Sequence, residues 1–168
     1  MDFEWRQEIP MLPAQFWDLF FSDAFTTRLY AALPIQKHRL VEKTISEDGG
    51  VITRKQWIEP AAAVPSWAAA WVPSMAYHEI HRLDRTRSEM LMLVEPEHAK
   101  ERFDFRAVCN VTPLGDMASQ RVVKGHLHVR APLIGGKIER MIMDQFAQGE
   151  KNLLQLVRQS VSAATGVV

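Results

Sequence analysis

At 168 residues the chain is long enough to bury a substantial core as one domain. Twenty Lys and Arg balance twenty Asp and Glu, so no broad basic field argues for nucleic acid. The single Cys109 excludes an intramolecular disulfide and fits a reducing compartment. The charged, alternating start over residues 1–6 is unlike a secretory signal, and no apolar run approaches the roughly 20 residues of a spanning helix. The expectation is one cytoplasmic domain over residues 1–168, with five Trp and eight Met to fill an irregular core or line an adaptable pocket.

Residues 2–9 alternate apolar and charged side chains and predict a first strand, ended by Pro10 and Pro13. Phe16, Phe20, Ala24, Leu29 and Leu33 then recur at helical spacing, and Ser22-Asp23 marks a stop and a new N-cap, so two short helices are expected. Residues 35–45 and 51–59 predict a strand pair around the turn Asp48-Gly49-Gly50, with less clean faces where Trp57 and Ile58 point opposite ways. Residues 61–77 contain no charged side chain, and Pro65 and Pro73 bracket a short apolar helix expected to end near Trp71. Residues 77–83, 88–95 and 102–111 predict a three-strand meander.

The most regular strand follows over residues 121–130. Val123, Gly125, Leu127 and Val129 take one face, and Lys124, His126, His128 and Arg130 the other. Pro132 stops it, Gly135-Gly136 is expected to supply the turn, and an apolar period near 3.6 runs to about Ala163. Gly149 weakens this helix by about 1 kcal/mol relative to Ala, and predicts a kink or a close approach of the sheet backbone. A long half-wet strand feeding a long terminal helix suggests an α+β fold, a curved antiparallel sheet wrapped around that helix.

This order resembles the helix-grip fold of the START-like superfamily, whose members hold a ligand between a bent seven-stranded sheet and the last helix. The run Pro132-Leu133-Ile134-Gly135-Gly136-Lys137-Ile138-Glu139 is similar to a segment in an uncharacterised bacterial branch of that superfamily. A looser likeness, in element order alone, is to PRELI-like lipid-transfer proteins, which place a short apolar lid helix after the third strand. The resemblance implies a cavity between sheet and helix but does not choose among carriers, receptors and cyclases.

The candidate ligand-binding residues are Phe103, Phe105, Ala107, Cys109, Val123, Gly125, Leu127 and Val129 on the sheet, facing Ile138, Met141, Ile142 and Phe146 on the helix. The small residues Ala107, Cys109 and Gly125 are expected to leave volume there. Trp67, Trp71 and Val72 are the candidate lid, closing over the pocket or making transient contact with a bilayer, although the segment carries no basic residue of its own. Plain burial of the segment is the competing reading.

Arg121 shares the inward parity of Val123. Buried, it needs an acidic partner or an anionic ligand head; at a splayed strand end it reaches solvent, which is the plainer reading. Cys109 on the dry face reads as an inert small hydrophobe. His126 and His128 read as a solvated face rather than a metal site, and no cofactor is implied. His78 and His81 fall on opposite faces, and Glu79, Glu89, Glu59 and Asp84 cannot be paired by sequence. The reading favoured is binding or transfer of a hydrophobic small molecule, a lipid foremost. An enzyme of cyclase or hydrolase type, or an interaction module with a collapsed cavity, are the rivals.

Overall fold

Period-two alternation becomes a single antiparallel sheet in the computed structural model, which describes residues 1–165; residues 166–168 of the expected unit lie outside the described residues. The strands are β1 (Asp2–Ile9), β2 (Ile35–Ile45), β3 (Val51–Pro60), β4 (Tyr77–Asp84), β5 (Glu89–Pro96), β6 (Phe103–Pro113) and β7 (Ser119–Val129). They lie in the order β1-β7-β6-β5-β4-β3-β2, so the first strand pairs with the last, Phe3 opposite Gly125 and Trp5 opposite Val123. Edge strand β2 shifts register against β3 twice, between Ile35 and Lys37 and between Leu40 and Glu42, and exposes Leu40, Val41 and Ile45.

Three α-helices complete the fold among the described residues: α1 (Pro13–Phe20), α2 (Asp23–Ala31) and α3 (Gly135–Thr165). Pro13 occupies the first turn of α1, where no N–H is needed. Ser22 then divides the two short helices as expected. Its hydroxyl donates to the Leu19 carbonyl at 2.8 Å and accepts from the Phe25 N–H at 3.3 Å. Both helices bury aromatic faces, Phe16, Trp17 and Phe20 from α1, Phe25 and Tyr30 from α2.

Two local expectations need correction. Gly135-Gly136 are not the turn before α3 but its first residues. The turn is made by residues 131–134, with Leu133 at φ +69° and fully exposed. Gly135 is needed for a different reason: a Cβ there would stand 2.4 Å from the Val129 carbonyl oxygen, so only glycine lets the helix begin against the end of β7. The segment between β3 and β4 forms turns instead of a helix. Its bonds run from Ala68 N–H to Pro65 O and from Trp71 N–H to Ala68 O, both at 2.8 Å. Two prolines eight residues apart leave too little chain to repay helix nucleation.

α3 is unbroken over 31 residues. Gly149 meets no sheet backbone; a Cβ there would find Leu33 Cδ2 at 3.7 Å, an ordinary contact. At the β1–β7–β6 end Ile9, Cys109, Val111, Val123 and Leu127 are buried in one core cluster with Phe16 and Trp17 of α1 and Leu153 and Val157 of α3. No helix among the described residues is long and apolar enough to cross a membrane.

Candidate functional site

Towards the other end of the sheet, α3 and the strands part. A cavity of about 240 Å³ lies between them. The strands supply Met92, Val94, Phe103 and Phe105; α3 supplies Ile138, Ile142, Phe146 and Leu153; α2 and its exit supply Leu29 and Leu33. Trp71 and Val72, from the turn segment, close one side. Pro34, His98 and Gln145 are lining residues that are themselves exposed, so the cavity reaches the surface beside them.

The candidate residues divide between this cavity and solid core. Phe103, Phe105, Arg121, Val129, Ile138, Ile142 and Phe146 reach the cavity wall, as do Trp71 and Val72 of the candidate lid. Ala107, Cys109, Val123, Gly125 and Leu127 do not. They have the inward parity expected, but the space over them is filled. A Cβ on Gly125 would come within 2.4 Å of Phe3 Cζ and 2.7 Å of Ala107 Cβ, so the volume the glycine opens is occupied by the ring from β1. Phe3 in turn packs on Trp5, Phe105 and Phe146, with centroids 4.7, 5.7 and 5.9 Å away. Met141 also misses the cavity. At about 100° per residue it lies off the row of Ile138, Ile142, Gly149 and Leu153, and of the two methionines Met143 is the buried one.

Arg121 is buried, 1% exposed, which overturns the solvent reading. Its partner is Glu150 on α3. Nη1 donates to Glu150 Oε2 and, at 2.9 Å, to Gln7 Oε1 on β1; Nη2 donates to Glu150 Oε1 at 3.1 Å. Despite burial, the Glu150 carboxylate keeps the guanidinium charged and its pKa raised. This pair forms part of the cavity wall.

A second polar group was missed by the sequence reading. β4 turns Tyr77, Glu79 and His81 to the cavity, three titratable residues in one period-two row. Tyr30 on α2 donates its hydroxyl to Glu79 Oε1 at 2.5 Å and accepts from Gln56 Nε2 at 2.7 Å. Arg54 Nη2 donates to His81 Nδ1 at 3.2 Å, which leaves the imidazole proton on Nε2, 3.2 Å from Glu79 Oε1. Burial, helped by the adjacent Arg54, pushes His81 down to about 4 against the opposing pull of Glu79. Burial and then the Glu79 carboxylate push the phenols of Tyr30 and Tyr77 well above their ordinary value, so both stay protonated. Arg54 itself is anchored by the Phe20 carbonyl at 3.0 Å and Thr26 Oγ1 at 2.7 Å. The signal was present in the sequence: Ile52-x-Arg54-x-Gln56-x-Ile58 and Glu79-x-His81-x-Leu83 each alternate in phase with buried residues.

The remaining candidates sit elsewhere. Trp67 faces outward, 37% exposed, with Lys137 Nζ 4.1 Å from its ring centroid. Trp71 carries Arg102 over its ring at 5.3 Å. The fold therefore brings basic neighbours that residues 61–77 do not supply. Cys109 is fully buried, and burial raises its thiol to about 11. His126 and His128 lie on the exposed face and pair with Asp2 at 2.6 Å and Glu139 at 3.2 Å. Among the described residues no group of three or more His, Cys, Asp and Glu is gathered as a metal site.

Solved structures share this architecture. The Zhui aromatase/cyclase from Streptomyces sp. R1128 superposes with a TM-score of 0.68 at 12% identity, over 98% of this chain and 97% of that one. Norcoclaurine synthase from Thalictrum flavum, in complex with dopamine and hydroxybenzaldehyde, gives 0.64 at 16% identity over 95% and 87%. A START superfamily protein from Mycobacterium smegmatis gives 0.59 at 12% identity over 94% and 97%. The chain has the helix-grip fold seen in these proteins, a curved seven-stranded antiparallel sheet closed on its C-terminal helix. Residues 4–159 match the family described as "Protein of unknown function (DUF2505)", and the chain belongs to that family. No curated protein matches the sequence.

Proposed function

We propose that the protein binds one hydrophobic small molecule between sheet and α3, and that this ligand is a single-chain lipid or a lipid-like ring compound. The observation that carries the reading is the cavity itself: a pocket opening to the surface, walled mainly by apolar and aromatic side chains, with a few convergent polar groups. At about 240 Å³ it falls just below the roughly 300–1,000 Å³ of pockets for drug-sized ligands. One compact apolar body suits that volume and a two-chain lipid does not. Proteins of the same fold whose structures are those of an aromatase/cyclase and of a synthase holding dopamine support a small-molecule role.

Trp71 and Val72 gate the cavity, since they line it from a segment held by turns rather than by sheet or helix. Outward-facing Trp67 with Lys137 over its ring, and fully exposed Leu133, give the same end of the molecule an apolar-and-basic exterior suited to brief contact with a bilayer.

The test is organic extraction of the purified protein with mass spectrometry of the extract, beside displacement of the neutral dye N-phenyl-1-naphthylamine. Ile142→Glu places a charge in the wall and is expected to abolish dye binding while circular dichroism stays unchanged. Full binding by a folded Ile142→Glu protein would refute the assignment. A second reading, an enzyme acting on the same ligand, is favoured by the convergence of Tyr30, Tyr77, Glu79 and His81. Recovery of chemically altered ligand after incubation, absent in Glu79→Gln, would select it.

A further inference from the structure

Resting on the cavity reading, we propose that the inner end of the cavity recognises a hydroxyl group: the Glu79 carboxylate accepts a hydrogen bond from the alcohol or phenol of a neutral hydrophobic ligand. Glu79 stands at the middle of the β4 row, between Tyr77 and His81. Its Oε1 is taken, bonded by the Tyr30 hydroxyl at 2.5 Å and faced by His81 Nε2 at 3.2 Å. Its Oε2 accepts no hydrogen bond from any described residue, and the Tyr77 hydroxyl makes none either. Both residues line the cavity. The Glu79 side chain is 18% exposed and lines the cavity, so its second oxygen can be reached by a ligand there, and a donor that meets it gains a charge-assisted bond.

The carboxylate is also held in one orientation. His38 Nε2 lies 2.6 Å from Gln56 Oε1, Gln56 Nε2 donates to Tyr30, and Tyr30 donates to Glu79. With the imidazole proton on Nε2, every member of that chain donates to the next. His38 stacks on Tyr30 with ring centroids 4.0 Å apart, fixing the phenol from its other side. Such preorganisation is what distinguishes a recognition site from a carboxylate that swings to water.

Charge selects the class of ligand. Arg54 offsets Glu79 across the imidazole of His81, and Arg121 is paired with Glu150. The buried charges of the cavity wall therefore cancel. A protonated amine or a carboxylate brought to Glu79 would add an uncompensated buried charge, and a carboxylate would face a like charge as well. A hydroxyl supplies the donor and adds no charge.

Four probes on one ring system test this at pH 7 by titration calorimetry or by displacement of N-phenyl-1-naphthylamine: 2-naphthol, 2-methoxynaphthalene, 1-naphthylmethylamine and 2-naphthoate. The expected result is that 2-naphthol binds at least about tenfold more tightly than 2-methoxynaphthalene, the weight of one hydrogen bond to a charged acceptor, and more tightly than either charged probe. Glu79→Gln puts a donor where the acceptor stood and should erase the preference for 2-naphthol over 2-methoxynaphthalene, read by titration calorimetry. Equal affinity for 2-naphthol and 2-methoxynaphthalene in the native protein overturns the hydroxyl site, and tighter binding of the amine replaces it by a cation site. Either result leaves the cavity intact as long as the dye binds; failure of the dye to bind sinks the cavity reading itself. The probe series on the unmodified protein decides the matter even if Glu79→Gln fails to fold.

Discussion

Arg121 on β7 and Glu150 on α3 form a two-point ion pair buried on both sides, with Gln7 of β1 as third member. The pair ties the terminal helix to the first and last strands at the boundary between packed core and open cavity. Removing one partner leaves the other's charge buried without its counter-ion. Arg121→Ala or Glu150→Ala is expected to cost about 3–5 kcal/mol each, whereas a double change to Met and Leu, which leaves no charge behind, is expected to cost much less than the sum. Urea denaturation of the three variants checks this; additive losses would mean that the pair is not a unit.

His81 gives the stability a pH dependence of definite sign. The unfolded imidazole takes up its proton near pH 6.5 and the folded one only near 4. Between those values the unfolded state binds more protons, so stability falls as pH drops from 6.5 to 4 and this contribution levels off below. The total is about 3 kcal/mol. Urea midpoints across pH 4–8 should show a slope that His81→Gln flattens, and equal slopes would contradict the buried neutral imidazole.

Two glycines should respond in opposite directions to alanine. At Gly149 the new methyl meets only Leu33 Cδ2 at 3.7 Å, so Gly149→Ala should stabilise α3 by about 1 kcal/mol and narrow the cavity slightly. At Gly125 it would collide with the Phe3 ring at 2.4 Å and the Arg106 carbonyl oxygen at 2.7 Å, so a loss of about 1–3 kcal/mol is expected. Phe3→Leu in the Gly125→Ala background should recover part of that loss. Thermal melts of the set test whether the aromatic ring fills the glycine's space.

Cys109, buried with its thiol raised to about 11, should be inert in the native protein. Iodoacetamide is expected to label it only at the rate of unfolding, and fast labelling without denaturant would show an open path to it.

Elements were more legible than the site. Alternation over residues 121–130 and the cap at Ser22 are local signals, so strands, helix division and element order could be read directly. What fills a space is not local. Gly125 looked like the source of a void because it, Ala107 and Cys109 are small residues facing the helix, yet Phe3, far away in sequence, occupies the space. Arg121 was legible as inward by parity, but its partner lies 29 positions on, and only the helix path brings Glu150 to it. Arg54, Gln56, Glu79 and His81 defeat a hydrophobicity pattern because they are polar yet buried or half-buried, each held by a partner from another element. The charge-free run of residues 61–77 misled differently: its composition permits a helix, and its prolines leave no length for one.

The two register shifts in β2 bear on how the molecule behaves in company. An open sheet ends in a strand whose free amides and carbonyls invite a neighbour, and this one also displays Leu40, Val41 and Ile45. Bulges break the regular spacing that an incoming chain would have to match and add local twist. The margin of the sheet is thereby a poor template for intermolecular pairing, which offsets the apolar side chains it displays.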